Sequence, residues 1–308
     1  MQSVSVRAHG SSANLGPGFD CFAIALDAVY DEVTVSLADT NEIEINVIGD
    51  NVPEDPRKNV AGVVAMEFSR NHGITTGLKI RIAKGIKPGY GLGSSGASSA
   101  ATAFALSVLF GKNLDRPALV ELASAGELAS AGVAHRDNVA ASLFGGFSMW
   151  IEGPPKRVIN IPPPDDLYLA VAMPLIEIPT MKTMYARSVL PQSVDFEKHV
   201  RNTANASEIV VGFMLRDARI LGEGMRDEIV EPVRSKFIPG YASVRRAAFS
   251  AGALGFTISG AGPSLLAVCD QRQVAVSVLK EMKSAFDSEG ISSDGFVSRV
   301  GSGCSVIH

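Results

Sequence analysis

Pro88-Gly-Tyr-Gly-Leu-Gly-Ser-Ser-Gly-Ala-Ser-Ser99 is the most informative stretch of this 308-residue chain, because it places four glycines and four serines at the start of an alanine-rich helical run over residues 97–110. Glycines let a backbone turn tightly and approach a ligand closely. The start of a helix offers unpaired N–H groups and the positive end of the helix dipole. Together these features predict an anion cradle, most often for phosphate. A Gly/Ser loop that merely begins a helix is the simpler alternative.

Two better-known motifs match short parts of this chain, and neither fits its context. Gly91-x-Gly93-x-x-Gly96 matches the dinucleotide fingerprint, but residues 84–90 separate it from the preceding predicted strand. His135-Arg-Asp137 mimics the catalytic loop of protein kinases, but the strand lysine and the Asp-Phe-Gly motif of that family are missing. The P-loop pattern Gly-x4-Gly-Lys-Ser/Thr is absent as well. A phosphate site of another kind is therefore predicted.

Composition limits the class of protein. A hydrophobic content of 46% and a charged content of 19% predict one large domain or two domains with substantial cores. The net charge of −4 and the scattered basic residues argue against nucleic acid or a membrane surface as partner. With no apolar run of about 18 residues and no signal-peptide pattern, we expect a cytoplasmic protein. Cys21, Cys269 and Cys304 are widely spaced, which predicts neither disulfides nor a zinc site.

Strands and helices alternate along the chain. Hydrophobic periodicity predicts strands over residues 4–8, 42–47, 78–83, 167–173, 254–258, 265–269 and 295–300, and one that ends at 151. Helices are predicted over residues 60–70, 115–130, 195–221, 241–251 and 274–288, with Gly73 after the first and Asp115 capping the second. Five prolines within residues 152–166 predict a domain boundary there.

Three segments, in order and spacing, resemble the signature motifs of the GHMP kinase superfamily. They are Ser11-Ser-Ala-Asn-Leu-Gly-Pro-Gly-Phe-Asp20, Gly91-Leu-Gly-Ser-Ser-Gly96 and Ser259-Gly-Ala-Gly-Pro-Ser264. The first motif is most similar to that of the homoserine kinases. So is His135-Arg-Asp-Asn-Val139, where that family usually has His-Pro-Asp-Asn-Val. The resemblance covers nearly the whole chain.

The resemblance implies an α+β fold with the two-domain GHMP kinase architecture. Residues 1–155 would form an N-terminal ATP-binding domain like ribosomal S5 domain 2, and residues 156–308 a ferredoxin-like C-terminal domain. The site would lie in the cleft between them, a common place for ligand pockets. The resemblance is also compatible with a homodimer.

On the nucleotide side, the resemblance implies a cradle for the phosphates of ATP, built mainly from backbone N–H groups. Its residues would be Pro88, Gly91, Leu92, Gly93, Ser94, Ser95, Gly96, Ala97 and Ser98, joined by Gly260 and Gly262 of the third motif. A hairpin turn between two strands is the simpler interpretation of that third motif, and both can hold.

Magnesium is the implied cofactor beside ATP, with Glu127 and Ser95 as its ligands. Mg2+ prefers hard oxygen ligands and keeps waters, so one carboxylate can suffice. Glu127 is the only charged residue between Leu122 and Ala134, and a carboxylate in so apolar a stretch needs a partner. A solvated helix residue is the alternative.

A small amino acid is the implied phosphate acceptor. The resemblance implies that Arg187 and Arg234 hold its carboxylate, for which arginine offers two parallel donors. Asp20 is the candidate for the ammonium. By themselves, both arginines would more often be surface residues. The remaining candidate ligands are Asn14, His135 and Asp137, although Asp137 would serve equally as a helix cap. Thr183 is a further candidate catalytic residue.

Catalysis without a strong general base is the mechanism that the resemblance implies. Some relatives use an aspartate, whereas the homoserine branch has an asparagine, matched here by Asn138, which cannot accept the proton. Asp137 as the base remains an alternative. The implied reaction converts ATP and L-homoserine to O-phospho-L-homoserine for threonine biosynthesis. A shikimate- or mevalonate-type kinase and a non-catalytic nucleotide-binding regulator are the rivals.

Overall fold

The structure, a computed structural model, describes residues 2–49, 52–131, 134–179 and 182–307. Its strands are β1 (Ser3–Ala13), β2 (Phe22–Leu37), β3 (Ile43–Ile48), β4 (Leu78–Ala83), β5 (Phe147–Ile151), β6 (Arg157–Ile161), β7 (Tyr168–Pro174), β8 (Gly255–Ile258), β9 (Leu265–Cys269), β10 (Ser293–Ser298) and β11 (Ser305–Ile307). Its helices are α1 (Val60–His72), α2 (Ser94–Leu109), α3 (Arg116–Ala131), α4 (Arg136–Phe144), α5 (Lys182–Ser188), α6 (Phe196–Leu215), α7 (Ala218–Gly224), α8 (Glu231–Arg234), α9 (Tyr241–Ser250) and α10 (Arg272–Ser288). A 3-10 turn over Ser235–Phe237 follows α8.

The first sheet has the order β11-β1-β2-β4-β3, and β5 pairs with both β2 and β6. Helix α2 packs on β1 and β2 and also contacts α1, α3 and α4. Its alanines, among them Ala97, Ala100 and Ala103, are fully buried. Small side chains let this helix lie close to the sheet and to three other helices at once. The alanine-rich run thus becomes the central helix of the first core.

The second sheet is antiparallel in the order β10-β7-β9-β8. Helices α9 and α10 pack on it, and α10 buries a stripe of Ala275, Val278, Met282 and Phe286 at helical spacing. The chain then returns to the first sheet, where β11 pairs antiparallel with β1. This mixture of helices and two sheets agrees with the predicted α+β class.

Several predicted element boundaries differ from those of the structure. The proline-rich stretch 152–166 contains strand β6, which pairs with β5, so it is not a plain linker. The predicted helix 195–221 is two helices, because Arg216 adopts a left-handed conformation (φ 56°) and the Asp217 side chain caps Arg219 N–H and Ile220 N–H. Strands β6 and β11, from the C-terminal part of the chain, both belong to the first sheet. The division into domains at residues 155/156 stays a prediction.

Capping residues were predicted more successfully. The Asp115 carboxylate accepts from the Ala118 N–H at 2.8 Å at the start of α3. Gly73 ends α1 with a left-handed φ of 64°. Among the described residues, no helix is both long and apolar enough to cross a membrane.

Candidate active site

The first motif and the third motif meet through Asn14. Its side-chain amide donates to the carbonyl of Gly260 at 3.1 Å, and its Oδ1 accepts from the Asp20 N–H at 3.1 Å. Asn14 and Asp20 both have positive φ, 73° and 55°. Asparagine and aspartate tolerate this conformation better than most residues. The loop after β1 is therefore curled so that Asn14 and Asp20 both line one cleft.

The phosphate loop lies against both of the other motifs. Ser11 N–H donates to the carbonyl of Leu92 at 2.9 Å, and the Ser259 hydroxyl donates to the carbonyl of Gly91 at 2.7 Å. Gly91 has a φ of 76°, and a Cβ there would lie 2.2 Å from the Ser259 carbonyl oxygen. Only glycine fits at this crossing, because both the conformation and the space exclude a side chain. Hydrogen bonds therefore connect each of the three motifs to the other two.

Helix α2 begins at this surface, three residues earlier than predicted. Gly93 occupies the N-cap position with a φ of 68° and provides no side-chain cap, and the first turn contains no acidic residue. The Ser94 hydroxyl donates to the Ile86 carbonyl at 2.8 Å, which anchors the loop from below. The first N–H groups of the helix lack intrahelical partners and carry the positive end of its dipole. An anion cradle requires this arrangement of a glycine N-cap and free N–H groups, and phosphate binding here stays a prediction.

Beneath the loop lies a buried ion pair that no sequence pattern predicted. Lys84 is paired with Asp31 and also donates to the Ser94 carbonyl at 3.1 Å. Asp31 is fully buried and accepts from the Gly85 and Ile86 N–H groups. The Ser98 hydroxyl donates to the same carboxylate at 2.7 Å. Breaking such a buried pair costs several kcal/mol, about 3–5, so these residues support the loop.

The cleft between the three motifs has a volume of about 580 Å3. The predicted site residues that line it are Asn14, Asp20, Pro88, Gly91, Leu92, Gly93, Ser94, Ser95, Glu127, His135, Asp137, Asn138, Arg187, Arg234 and Gly260. The predicted residues outside its lining are Gly96, Ala97, Ser98 and Gly262. Ala97 and Ser98 point into the core and into the Asp31 network, respectively. The side chain of Thr183 lies outside the described part of the chain.

Glu127 and His135 form a buried pair in the cleft wall. Glu127 is 2% exposed, and its Oε2 lies 3.1 Å from His135 Nδ1. Burial alone would lower the pKa of His135, but the hydrogen bond and charge of Glu127 and the charges of Asp137 and Asp20 outweigh it and raise that pKa. Because its side chain is buried, Glu127 is not a solvated helix residue.

Asp137 and Asn138 stand at the start of α4. His135, not Asp137, is the N-cap of this helix, so the alternative role of Asp137 as a cap is wrong. Burial raises the pKa of Asp137 to about 6, against the opposing charge of His135. Asn138 Oδ1 accepts from the Ser11 hydroxyl at 2.9 Å, which joins α4 to the first motif.

The candidate carboxylate ligands, Arg187 and Arg234, also line the cleft. Arg187 Nη2 lies 2.6 Å from Asp20 Oδ2, and both side chains are about one-third exposed, at 39% and 37%. Arg234 is 7% exposed and donates to the carbonyls of Ala186 and Gly260. Burial lowers the pKa of Arg234. The Phe19 ring lies near both guanidinium groups, 5.7 Å from that of Arg187 and 5.1 Å from that of Arg234.

Sequence reasoning missed Lys182, which also lines the cleft. It begins α5, five residues before Arg187, and its Nζ donates to the carbonyls of Gly89 and Gly262. Its neighbourhood carries no motif of its own. The single available signal was its position in the segment that also supplies Arg187.

Comparison with known proteins gives consistent results. The family of GHMP kinase N-terminal domains matches residues 59–146, and that of GHMP kinase C-terminal domains matches residues 209–288. A homoserine kinase from Thermoplasma volcanium is 41% identical over 290 residues, covering 94% of this chain and 92% of that protein. One from Halorubrum lacusprofundi is 41% identical over 309 residues, with 99% of each covered.

A solved structure agrees with these sequence relatives. The crystal structure of homoserine kinase from Cytophaga hutchinsonii superimposes with a TM-score of 0.92 at 36% identity, and the match covers 100% of this chain and 98% of that one. Fold and chain length therefore correspond over the whole chain.

Proposed function

This chain belongs to the homoserine kinase family of the GHMP kinases, and we propose that it transfers the γ-phosphate of ATP to the hydroxyl of L-homoserine. The product, O-phospho-L-homoserine, serves threonine biosynthesis. The observation that carries the proposal is the single cleft lined by all three signature motifs and by both charges needed for an amino acid. Phosphoryl transfer consists mainly of positioning and charge neutralisation, which this cleft can supply.

ATP would place its phosphates against the loop over residues 88–95 and the start of α2. The unpaired N–H groups there suit an anion, and glycines at 91, 93 and 260 allow close approach. For Gly96, Ala97, Ser98 and Gly262, contact would come through the backbone. The N-terminal domain, residues 1–155, would thus bind the nucleotide, with the third motif of residues 156–308 closing over it.

Mg2+ fits the oxygen donors of this cleft. Glu127 offers a buried carboxylate and Ser95 a hydroxyl, and both line the cleft. Such sites commonly use one or two carboxylates, waters and the phosphates of the substrate. Consistent with that, the described residues contain no cluster of three or more acidic, histidine or cysteine ligands. When bound, the ion would neutralise charge on the phosphates.

L-Homoserine would bind between Asp20 and the two arginines. Asp20 would accept from its ammonium group, while Arg187 and Arg234 would hold its carboxylate. Asn14, His135 and Asp137 would complete the polar wall. Thr183 is proposed beside the reacting hydroxyl on the resemblance alone.

The proton of the acceptor hydroxyl would pass to the transferring phosphate. The hydroxyl oxygen forms a bond to the γ-phosphorus as the bond to the β–γ bridging oxygen breaks, and ADP leaves. Asn138 cannot act as a base, and its Oδ1 is engaged by Ser11. Its amide group would orient the hydroxyl while the start of α2 balances the developing charge.

The test is ADP release from purified protein with ATP and Mg2+, measured with L-homoserine, shikimate, mevalonate or no acceptor. Turnover restricted to L-homoserine is expected. Turnover with shikimate or mevalonate would keep the phosphate machinery and overturn the acceptor assignments. ATP binding without turnover on any of them would favour the regulator. Light scattering on the same sample would test the homodimer.

A further inference from the structure

Lys182 joins the phosphate loop to the third motif. Its Nζ donates to the carbonyl of Gly89 at 2.6 Å and also to the carbonyl of Gly262. The two carbonyls belong to the two glycine-rich segments that border the proposed phosphate site. An ammonium group has three N–H donors, so one remains for a ligand in the cleft.

In the described part of the chain, the charge of Lys182 has no carboxylate partner. Among the described residues, no Asp or Glu oxygen lies within ion-pair distance of its Nζ, whose hydrogen-bond acceptors are backbone carbonyls. Burial, with a smaller effect from the charge of Arg234, lowers the pKa of Lys182 to about 7. A cation that is partly withdrawn from water without a counter-ion is unfavourable, and an anionic ligand would relieve that cost.

The acidic groups of the cleft are engaged elsewhere. Asp20 pairs with Arg187, and Glu127 pairs with His135. Asp137 accepts from the Asn138 N–H at 2.8 Å. No rearrangement of these pairs is needed if the counter-ion of Lys182 arrives with a substrate.

We propose that Lys182 donates its remaining N–H to an oxygen of the terminal phosphate of bound nucleoside triphosphate and so positions the group that is transferred. This inference rests on the proposed kinase function and adds a residue to it. The lysine contacts both glycine-rich segments, which favours phosphate over the acceptor carboxylate. Helix α5 also carries Arg187, so Lys182 lies on the side of the phosphates nearest the acceptor.

The test compares nucleotide affinities of Lys182→Gln and wild type by calorimetry. For a non-hydrolysable ATP analogue, Lys182→Gln should lose about tenfold or more in affinity, as expected for one charge-assisted hydrogen bond. For ADP, the loss should stay below about twofold, because the contacted phosphate is absent. The KM for L-homoserine should change little, and kcat should fall.

Lys236→Gln is the matched control, because Lys236 is an exposed lysine in the nearby 3-10 turn and does not line the cleft. It should bind both nucleotides like wild type. Retained ADP affinity shows that Lys182→Gln is folded. Partial recovery of the triphosphate affinity in Lys182→Arg would support a role for the charge.

Three results would overturn the inference: equal affinities of Lys182→Gln and wild type for the ATP analogue, equal losses for both nucleotides, or a loss confined to the KM for L-homoserine. Failure of the proposed function itself is distinguishable, since wild type would then not phosphorylate L-homoserine. If wild type is active and Lys182→Gln behaves like it, only the proposed role of Lys182 is rejected and the proposed function stands.

Discussion

Arg187 Nη2 lies 2.6 Å from Asp20 Oδ2, so the two side chains proposed to hold opposite ends of an amino acid hold each other. A zwitterion entering between them offers a new partner to each charge. A hydroxy acid offers a carboxylate alone and leaves Asp20 without a cation. The site would discriminate against a hydroxy acid because that ligand leaves the Asp20 carboxylate unpaired. We therefore expect the pair to select for substrates that carry both charges.

Replacing Asp20 by Asn should raise the KM for L-homoserine about tenfold or more, because an ammonium would lose its charged partner. Stability should change by less than about 1 kcal/mol, since the pair is partly exposed. Glu32→Gln is the control: Glu32 pairs with Arg7 at the same 2.6 Å and similar exposure, but outside the cleft. Equal KM values for Asp20→Asn and wild type would contradict the assignment.

Replacing Glu127 by Gln should lower kcat by at least about 100-fold and raise the Mg2+ concentration needed for half-maximal rate. The amide keeps the size of the side chain but not its charge. Glu121→Gln is the control variant in the same helix. The Glu121 carboxylate accepts a hydrogen bond from Arg136 at 2.7 Å and does not line the cleft. A Glu127→Gln variant with an unchanged Mg2+ requirement would exclude Glu127 as a metal ligand.

Asp137→Asn distinguishes the two proton-transfer hypotheses. We expect kcat to fall less than about tenfold, because in the proposed mechanism Asp137 does not accept the proton. If Asp137 were the general base, its loss would lower kcat about 100-fold or more. The amide oxygen can still accept from the Asn138 N–H, so the start of α4 is preserved. Rates should be compared at pH 8, where the Asp137 carboxyl, with a pKa of about 6, is ionised in wild type. Abolished turnover with intact binding of both substrates would make Asp137 the base.

The sequence predicted the parts of the site that depend on backbone shape. Gly91 and Gly260 signal positive φ, and the structure places both at the loop crossing. Helix ends with a local side-chain cap, such as Asp115, could be predicted for the same reason. Lys182 and the Asp31–Lys84 pair could not, because their partners are distant in sequence or are backbone carbonyls without a residue signature. Strand β2 was not predicted from the sequence.

Gly91→Ala should destabilise the protein and remove activity. A left-handed conformation alone costs a non-glycine residue about 1–2 kcal/mol, and here the new Cβ would also lie 2.2 Å from the Ser259 carbonyl oxygen. Gly111→Ala separates the two causes, since Gly111 has a φ of 60° but no atom within 4 Å of the position that a Cβ would take. Urea unfolding should give a larger loss for Gly91→Ala. Equal losses would show that the crossing can widen without cost.

Glu231 should make stability fall as pH rises from about 5 to 7. Burial raises its pKa from the ordinary 4.5 to about 7, against the hydrogen bonds from Thr257 and Tyr241. The folded state therefore binds a proton that the unfolded state releases between these values, so the stabilisation is complete below pH 4.5 and is lost as pH rises through 7. Glu231 begins α8, which also carries the cleft residue Arg234.

Glu231→Gln mimics the protonated acid and should flatten this part of the stability curve. Relative to wild type, it should gain on the order of 1–3 kcal/mol between pH 5 and pH 8. Urea unfolding at pH 5, 6, 7 and 8 measures the difference, and Glu228→Gln, which removes a surface partner of Arg201, serves as the control. Other groups that titrate in the cleft contribute to both curves and cancel in the comparison. Parallel curves for Glu231→Gln and wild type would show that this carboxyl is already ionised in the folded protein at pH 5.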